Sequence, residues 1–230
     1  MDRHPVDDTV AMPIRRSTSS GPAQHVVFDV ETLRLSHEVR GGWRNIQEFG
    51  LAICVTLDAN GVQHVWEEPE ASELINYLST FRCVVGFNSQ RFDLTVLSAY
   101  ADVTALRTTS LDLLKSLHAL TGRRKGMSLQ HIAYTMFGDC KSLSDSTQAT
   151  NLWRSGKPCE RQRVINYCAQ DVALTNRIFE FGINNGYVMV PVPNLKKSEE
   201  VTAARVAVSW RDNLEVAQDP RRSEHGFSQK

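Results

Sequence analysis

The sequence contains no apolar run approaching the roughly 18 residues that would cross a bilayer. Its first 23 residues carry no apolar stretch of a secretion signal, and Asp2, Asp7 and Asp8 among them are foreign to transit peptides. Cysteine is sparse. Cys54, Cys83, Cys140, Cys159 and Cys168 are scattered, with no CxxC and no metal-ligand spacing. This predicts reduced thiols in a cytoplasmic protein, not a disulfide scaffold or a zinc site. Charge of one sign is also missing, because 26 basic and 26 acidic residues cancel. A nucleic-acid partner would therefore be gripped by local basic patches, not by a global field. No internal repeat is present, which excludes solenoid architectures.

What is present is ordinary for a globular chain: 230 residues, 41% apolar and 23% charged, enough to bury a sizeable core. Residues 1–24 read as a disordered leader and 212–230 as a flexible polar tail, leaving one domain over 25–211. "HVVFDVE" (25–31) reads as a strand, and residues 46–68 as a hairpin turning at Asn60-Gly61. A helix over 70–81, a short buried strand over 83–87 and a helix over 89–101 follow. Further helices are predicted over 111–120, 128–137, 146–155 and 160–184, and then strands over 187–192 and 204–210. Strands first, then strand–helix alternation, predicts an α/β fold with a mixed central sheet flanked by helices.

Against this regular pattern, four acids stand out. In "VVFDVETLR" (26–34), Asp29 and Glu31 lie two residues apart on a strand, so both point to one face while Val26, Phe28 and Val30 take the other. In "VVGFNSQRFDLTVL", Asn88 or Ser89 can cap the helix, which puts Asp93 near its first turn, where the helix dipole alone would favour an acid. In "RVINYCAQDVALTNRIF", Tyr167 and Asp171 are four residues apart inside the apolar stripe Val164, Cys168, Val172, Ile178 and Phe179. A carboxylate on that stripe needs a partner, either a cation at a site or an arginine such as Arg44 or Arg91. Carboxylates sharing one site raise each other's pKa, and a bound divalent ion reverses that logic. With no His or Cys beside them, the donors are all oxygen, which suits Mg²⁺ or Mn²⁺. Two-metal phosphodiester hydrolysis is the natural chemistry of such a site.

Asp29-x-Glu31-Thr32, Asn88-x-x-x-Phe92-Asp93 and Tyr167-x-x-x-Asp171, in this order, resemble the three-motif signature of the DEDD 3′–5′ exonucleases. The resemblance implies a ribonuclease H-like fold. The tyrosine four residues before the last aspartate resembles the tyrosine branch (DEDDy), since Asn166 stands where the histidine branch carries His. The likeness is to proofreading domains of family-B DNA polymerases and to exonuclease-like domains found alone or beside helicases, and it spans about Val26 to Phe181. "RLSHEVRGGWRN" after the first motif is a departure in length.

From this resemblance, Asp29, Glu31 and Asp171 would hold the metal that activates water, with Asp29 bridging to a second ion and Asp93 acting at that ion. Tyr167 would orient the attacking water. Thr32, Leu33, Asn88 and Phe92 would lie against the terminal nucleotide. Arg123, Arg124 and Lys125 in "TGRRKG" form a charge run between two helices that would grip phosphates. Trp43, between Arg40 and Arg44, reads as a half-buried aromatic that could also stack on a base. The implied partners are a nucleic acid with a free 3′ end, single-stranded, and a helicase or polymerase. The competing reading is a binding module of the same fold that recruits such a partner with negligible turnover.

Overall fold

β1 (His25–Thr32) is the strand on which the rest is assembled in the computed structural model, which describes residues 25–138, 146–192 and 203–215. The predicted leader and residues 216–230 of the predicted tail lie outside the described residues. β2 (Leu51–Asp58) runs antiparallel to β1 and returns through β3 (Gln63–Glu67). The hairpin turns where Asn60-Gly61 predicts it. Asp58 Oδ1 accepts the backbone N–H groups of Asn60 (2.8 Å) and Val62 (2.9 Å), and Gly61 takes φ 80°, which a side chain would disfavour.

α1 (Ala71–Ser79) then leads to β4 (Cys83–Gly86), which lies parallel to β1. α2 (Asp93–Leu97) and α3 (Thr104–Thr109) lead to β5 (Ser110–Asp112), parallel to β4. The five-stranded sheet has the order β3-β2-β1-β4-β5, so it is mixed, as the element pattern predicts. α4 (Leu113–Thr121), α5 (Leu129–Phe137), α6 (Ser146–Arg154) and the long α7 (Pro158–Asn185) follow. β6 (Tyr187–Pro191) and β7 (Ala203–Ala207) form a separate antiparallel pair, and α8 (Asp212–Glu215) comes after them.

Two apolar layers sandwich the sheet. Val26, Phe28, Val30 and Val84 pack with Leu74 and Leu78 of α1, Leu94 and Leu97 of α2 and Leu106 of α3. Val27, Ile53, Val55 and Val85 face the opposite way, against Val164, Cys168, Val172, Ile178 and Phe179 of α7. Strand alternation thus sends odd and even residues of β1 into different cores.

Several segments differ from the sequence expectation, among them the unexpected α3 and the strand expected over 204–210, which ends at Ala207. The helix expected over 89–101 begins only at Asp93, because Asn88 adopts φ 65° and turns the chain sharply. Gly86 permits that turn: a Cβ there would lie 2.5 Å from Ser89 Cβ. The helix expected from residue 111 begins at Leu113, since Ser110–Asp112 pairs with β4 and Asp112 serves as the cap of α4. The hairpin strand expected from residue 46 is a one-turn 3₁₀ helix over Ile46–Phe49, and β2 starts after Gly50. At the C-terminal end, Gly182 leaves room on α7 for Trp210, whose indole N–H donates to Ser116 Oγ at 2.8 Å. Leu214 of α8, inside the segment read as tail, packs at the edge of the α7-side core.

Candidate active site

The predicted acids come together where the ends of β1 and β4 and the start of α2 meet the interior of α7. β4 accompanies β1 only as far as Val27↔Val85 and then turns away. The backbone N–H of Val30, past that point, is taken by Asp93 Oδ1 at 3.0 Å, so the first residue of α2 is tied to the middle of β1. On the other face of β1, Asp29 sits opposite Val55 and Glu31 opposite Ile53, under α7. A register shift between Glu31 and Thr32 ends the regular ladder there. From α7, the Cys168 thiol donates to the Asp29 carbonyl oxygen at 3.3 Å and lies 3.6 Å from Asp29 Oδ2. Tyr167 precedes Cys168, and Asp171 follows Tyr167 by one helical turn.

Asp29, Glu31, Asp93, Tyr167 and Asp171 all line one cavity of about 510 Å³. Thr32, Asn88 and Phe92 line it as well. Leu33 instead packs at the edge of the α7-side core. Arg123, Arg124 and Lys125 lie in the loop between α4 and α5, off the cavity wall, while Ser128, Leu129 and Gln130 just beyond them are part of that wall. α6 closes the cavity with Thr147 and Thr150.

Burial and mutual repulsion define the electrostatics. Asp93 is 3% exposed, and loss of hydration, reinforced by the charges of Asp112 and Asp171, pushes its pKa up to about 7 against the Val30 hydrogen bond. The Tyr167 hydroxyl is raised by burial first and then by Asp171, Glu31 and Asp29. It therefore stays protonated and serves as a donor across the physiological range. Burial, then Asp29 and Glu31, raise the Cys168 thiol in the same way.

The donors are oxygen acids of the kind hard divalent cations take. Their arrangement is less committed: among the described residues, no three His, Cys, Asp or Glu side chains converge as a metal-holding group. Asp93 is turned to the Val30 amide, and Asp29 lies beside the Cys168 thiol.

Sequence reasoning missed Asp112. It is 6% exposed at the end of β5, and its Oδ1 accepts from the N–H groups of Asn88 (2.9 Å) and Lys115 (3.0 Å) while Oδ2 accepts from Gln90 (3.1 Å). One carboxylate thus fixes the turn that aims Asn88, Phe92 and Asp93 and also caps α4. Its signal was an aspartate three residues before Lys115 at a helix start, a cap pattern hidden inside "SLDLLKSL". Trp43, expected to be half-buried, is 59% exposed on the cavity wall. It rides a single 3₁₀ turn (Gly42–Arg44), too short to show any burial period.

A family model for the RNase H superfamily matches residues 26–181. The chain belongs to that superfamily. Members of the RNase H superfamily are generally nucleases. No curated protein matches the chain. Among matching solved structures is the family B DNA polymerase from the hyperthermophilic archaeon Pyrobaculum calidifontis, at a TM-score of 0.54 and 16% identity. The match covers 71% of this chain but 25% of that one, so this chain spans about a quarter of the polymerase's length. The likeness is one of fold. Among the described residues no helix is long and apolar enough to cross a membrane.

Proposed function

We propose that this chain is a metal-dependent 3′–5′ exonuclease of the tyrosine branch, removing nucleotides from the 3′ end of a DNA or RNA strand. One observation carries the reading. Asp29 and Glu31 of β1, Asp93 of α2, and Tyr167 and Asp171 of α7 line a single cavity, in the order and on the elements of that signature.

Asp29, Glu31, Asp93 and Asp171 would hold Mg²⁺ or Mn²⁺, and two such ions supply charge stabilisation for the attacking and leaving oxygens of an in-line displacement. The protein's own groups do the positioning. Tyr167, kept protonated by burial and by its acidic neighbours, orients the attacking water through its hydroxyl. Thr32, Asn88 and Phe92 shape the seat of the terminal nucleotide, and Arg123, Arg124 and Lys125 hold phosphates further along the strand. Water adds to phosphorus, the bond to the 3′ oxygen breaks, and that oxygen leaves with a proton.

A specific observation favours a second reading, a nucleic-acid-binding module that recruits a helicase or polymerase. Asp93 is turned to the Val30 amide and Asp29 lies beside the Cys168 thiol, and no three of the acids converge as a metal-holding group among the described residues. Single strands of DNA and RNA labelled at either end, incubated with Mg²⁺ or Mn²⁺, separate the readings. The exonuclease shortens strands from the 3′ end, and Tyr167→Phe slows that shortening about 10²–10⁴-fold, the range for a positioned proton-handling group. Retention without shortening supports the binding module. Internal cuts overturn both.

A further inference from the structure

Beside the acid cavity lies a second recess of about 360 Å³, lined by Trp43, Ile46, Asn88, Arg91 and Phe92. Trp43, Asn88 and Phe92 belong to both cavities, so they form the partition between them. The indole is 59% exposed, yet it is braced, with its ring 5.6 Å from that of Phe49 and 6.0 Å from that of Phe92. Phe49 and Phe92 meet each other at 6.2 Å, which completes a three-ring cluster. Consecutive left-handed glycines, Gly41 (φ 89°) and Gly42 (φ 56°), turn the chain so that Trp43 stands on this cluster. An exposed indole held rigid in this way offers contact area at little entropic cost.

The chemistry around the partition is divided by charge. Four carboxylates line the first cavity against a single arginine, Arg34, and His37, whereas Arg91 is the one charged residue edging the second, and Arg40 and Arg44 flank Trp43 in the chain and are exposed. Among the described residues none of Arg40, Arg44 and Arg91 takes an ion pair. A flat apolar surface with free cations on its rim matches a nucleotide, whose base stacks and whose phosphate is anionic.

We propose that Trp43 is a stacking platform for an unpaired base of the bound strand, and that the recess edged by Arg91 receives the nucleotide next to the one in the acid cavity. The inference rests on the exonuclease reading and adds to it a second nucleotide seat, with Trp43 and Arg91 as the residues that select an unpaired end. A paired end keeps its terminal bases stacked on each other. Such an end cannot enter two seats separated by an aromatic partition without unstacking, which costs free energy that a single strand does not spend.

Binding of a short oligothymidylate to the full chain in EDTA, where no hydrolysis intrudes, tests this. Tryptophan fluorescence should be quenched on binding, and Trp43→Ala should remove that quenching. The same variant should weaken strand affinity about 5- to 150-fold, the range of one stacked base, while affinity for a blunt duplex hardly changes. Trp43→Phe should recover most of the affinity. Arg91→Glu should weaken the strand and flatten its salt dependence, which reads the recess without touching the aromatic cluster. Unchanged strand affinity in Trp43→Ala and Arg91→Glu, or an equal loss for strand and duplex, overturns the proposal, as does failure of the wild type to bind the strand. Quenching at Trp43 without 3′ shortening in Mn²⁺ would sink the exonuclease and leave this seat standing. Shortening that ignores Trp43 would do the reverse.

Discussion

On one side of β1, Val26, Phe28 and Val30 are 0–4% exposed and pack in an apolar cluster with α1, α2 and α3. On the other side, the same strand places Asp29 and Glu31 under α7, where they meet Tyr167 and Asp171. The first layer gains from burial alone, with about 1.5–3 kcal/mol for each large apolar side chain enclosed. The second also encloses acids: burial first, and then neighbouring charges, raises the pKa of Asp93 and Tyr167, a cost that the apolar packing must offset. Eight residues of one strand serve both ends. Both faces carry apolar packing, but the acids share only the α7 face, where burial disfavours their charge, a trade expected of a functional site.

The largest effect should come from the acid face. Asp171→Asn is expected to abolish hydrolysis while leaving the metal-free protein no less stable, because one of the mutually repelling charges is gone. Mg²⁺ or Mn²⁺ should raise the melting temperature of the wild type by binding the folded state, and should raise that of the variant little. Thermal melts of both proteins with and without metal decide it. A variant that melts several degrees lower in EDTA would make Asp171 one half of a structural ion pair.

The apolar face should respond in the opposite way. Leu74 of α1 is fully buried in the layer behind β1. Leu74→Ala should cost about 2–5 kcal/mol in chemical denaturation, the usual cost of such a cavity. Strand shortening per folded molecule should be nearly unchanged. If activity falls while the folded fraction does not, the two layers are coupled through the sheet and the division of labour is wrong.

Asp93 stands between the faces, since α2 belongs to the apolar layer and the carboxyl reaches across to Val30. Its pKa is raised in the folded state from 3.8 to about 7. The folded protein therefore holds this proton more tightly than the unfolded chain, so the group's contribution is intact below about pH 4 and is lost as pH rises through 7. In EDTA, Asp93→Asn should match the wild type near pH 4 and exceed it near pH 8, by up to about 4 kcal/mol at about 1.4 kcal/mol per unit. Asn can still accept the Val30 N–H, so the geometry is kept. A stability difference that does not vary with pH would mean Asp93 is ionised throughout.

Much of this division is legible in the residues. Alternation over Val26–Glu31 assigns the two faces of β1, and the i, i+4 spacing of Tyr167 and Asp171 puts both on the buried stripe of α7, because each rests on a period long enough to read. Asp112 and the turn at Asn88 are not legible in the same way. β5 has three residues, too few for a period, and the left-handed Asn88 is imposed by Gly86 and by the Asp112 carboxylate, both contacts made in three dimensions. Trp43 escapes for a related reason: its exposure depends on Phe49 and Phe92, which arrive from other elements.

The smallest effect concerns the rim of the acid side. Gly122 ends α4 in the left-handed region at φ 68°, and the chain then presents Arg124 and Lys125 to solvent, with Arg123 half-buried, before α5 begins. The wall residues Ser128 to Gln130 follow within the next few positions, so phosphates leaving the cavity toward α5 would pass this loop. None of the three side chains takes an ion pair among the described residues. For a single strand, each neutralised phosphate adds about 0.7 to the slope of log affinity against log salt, so three contacts make a slope change of about 2. Replacing Arg123, Arg124 and Lys125 with Glu should lower strand affinity and reduce the slope by up to that amount, with folding unaffected because the sites lie in a surface loop. Titrations at several salt concentrations read both numbers at once. An unaltered slope would mean the charges only solvate a turn, and the acid face would then draw its strand in by Trp43 and Arg91 alone.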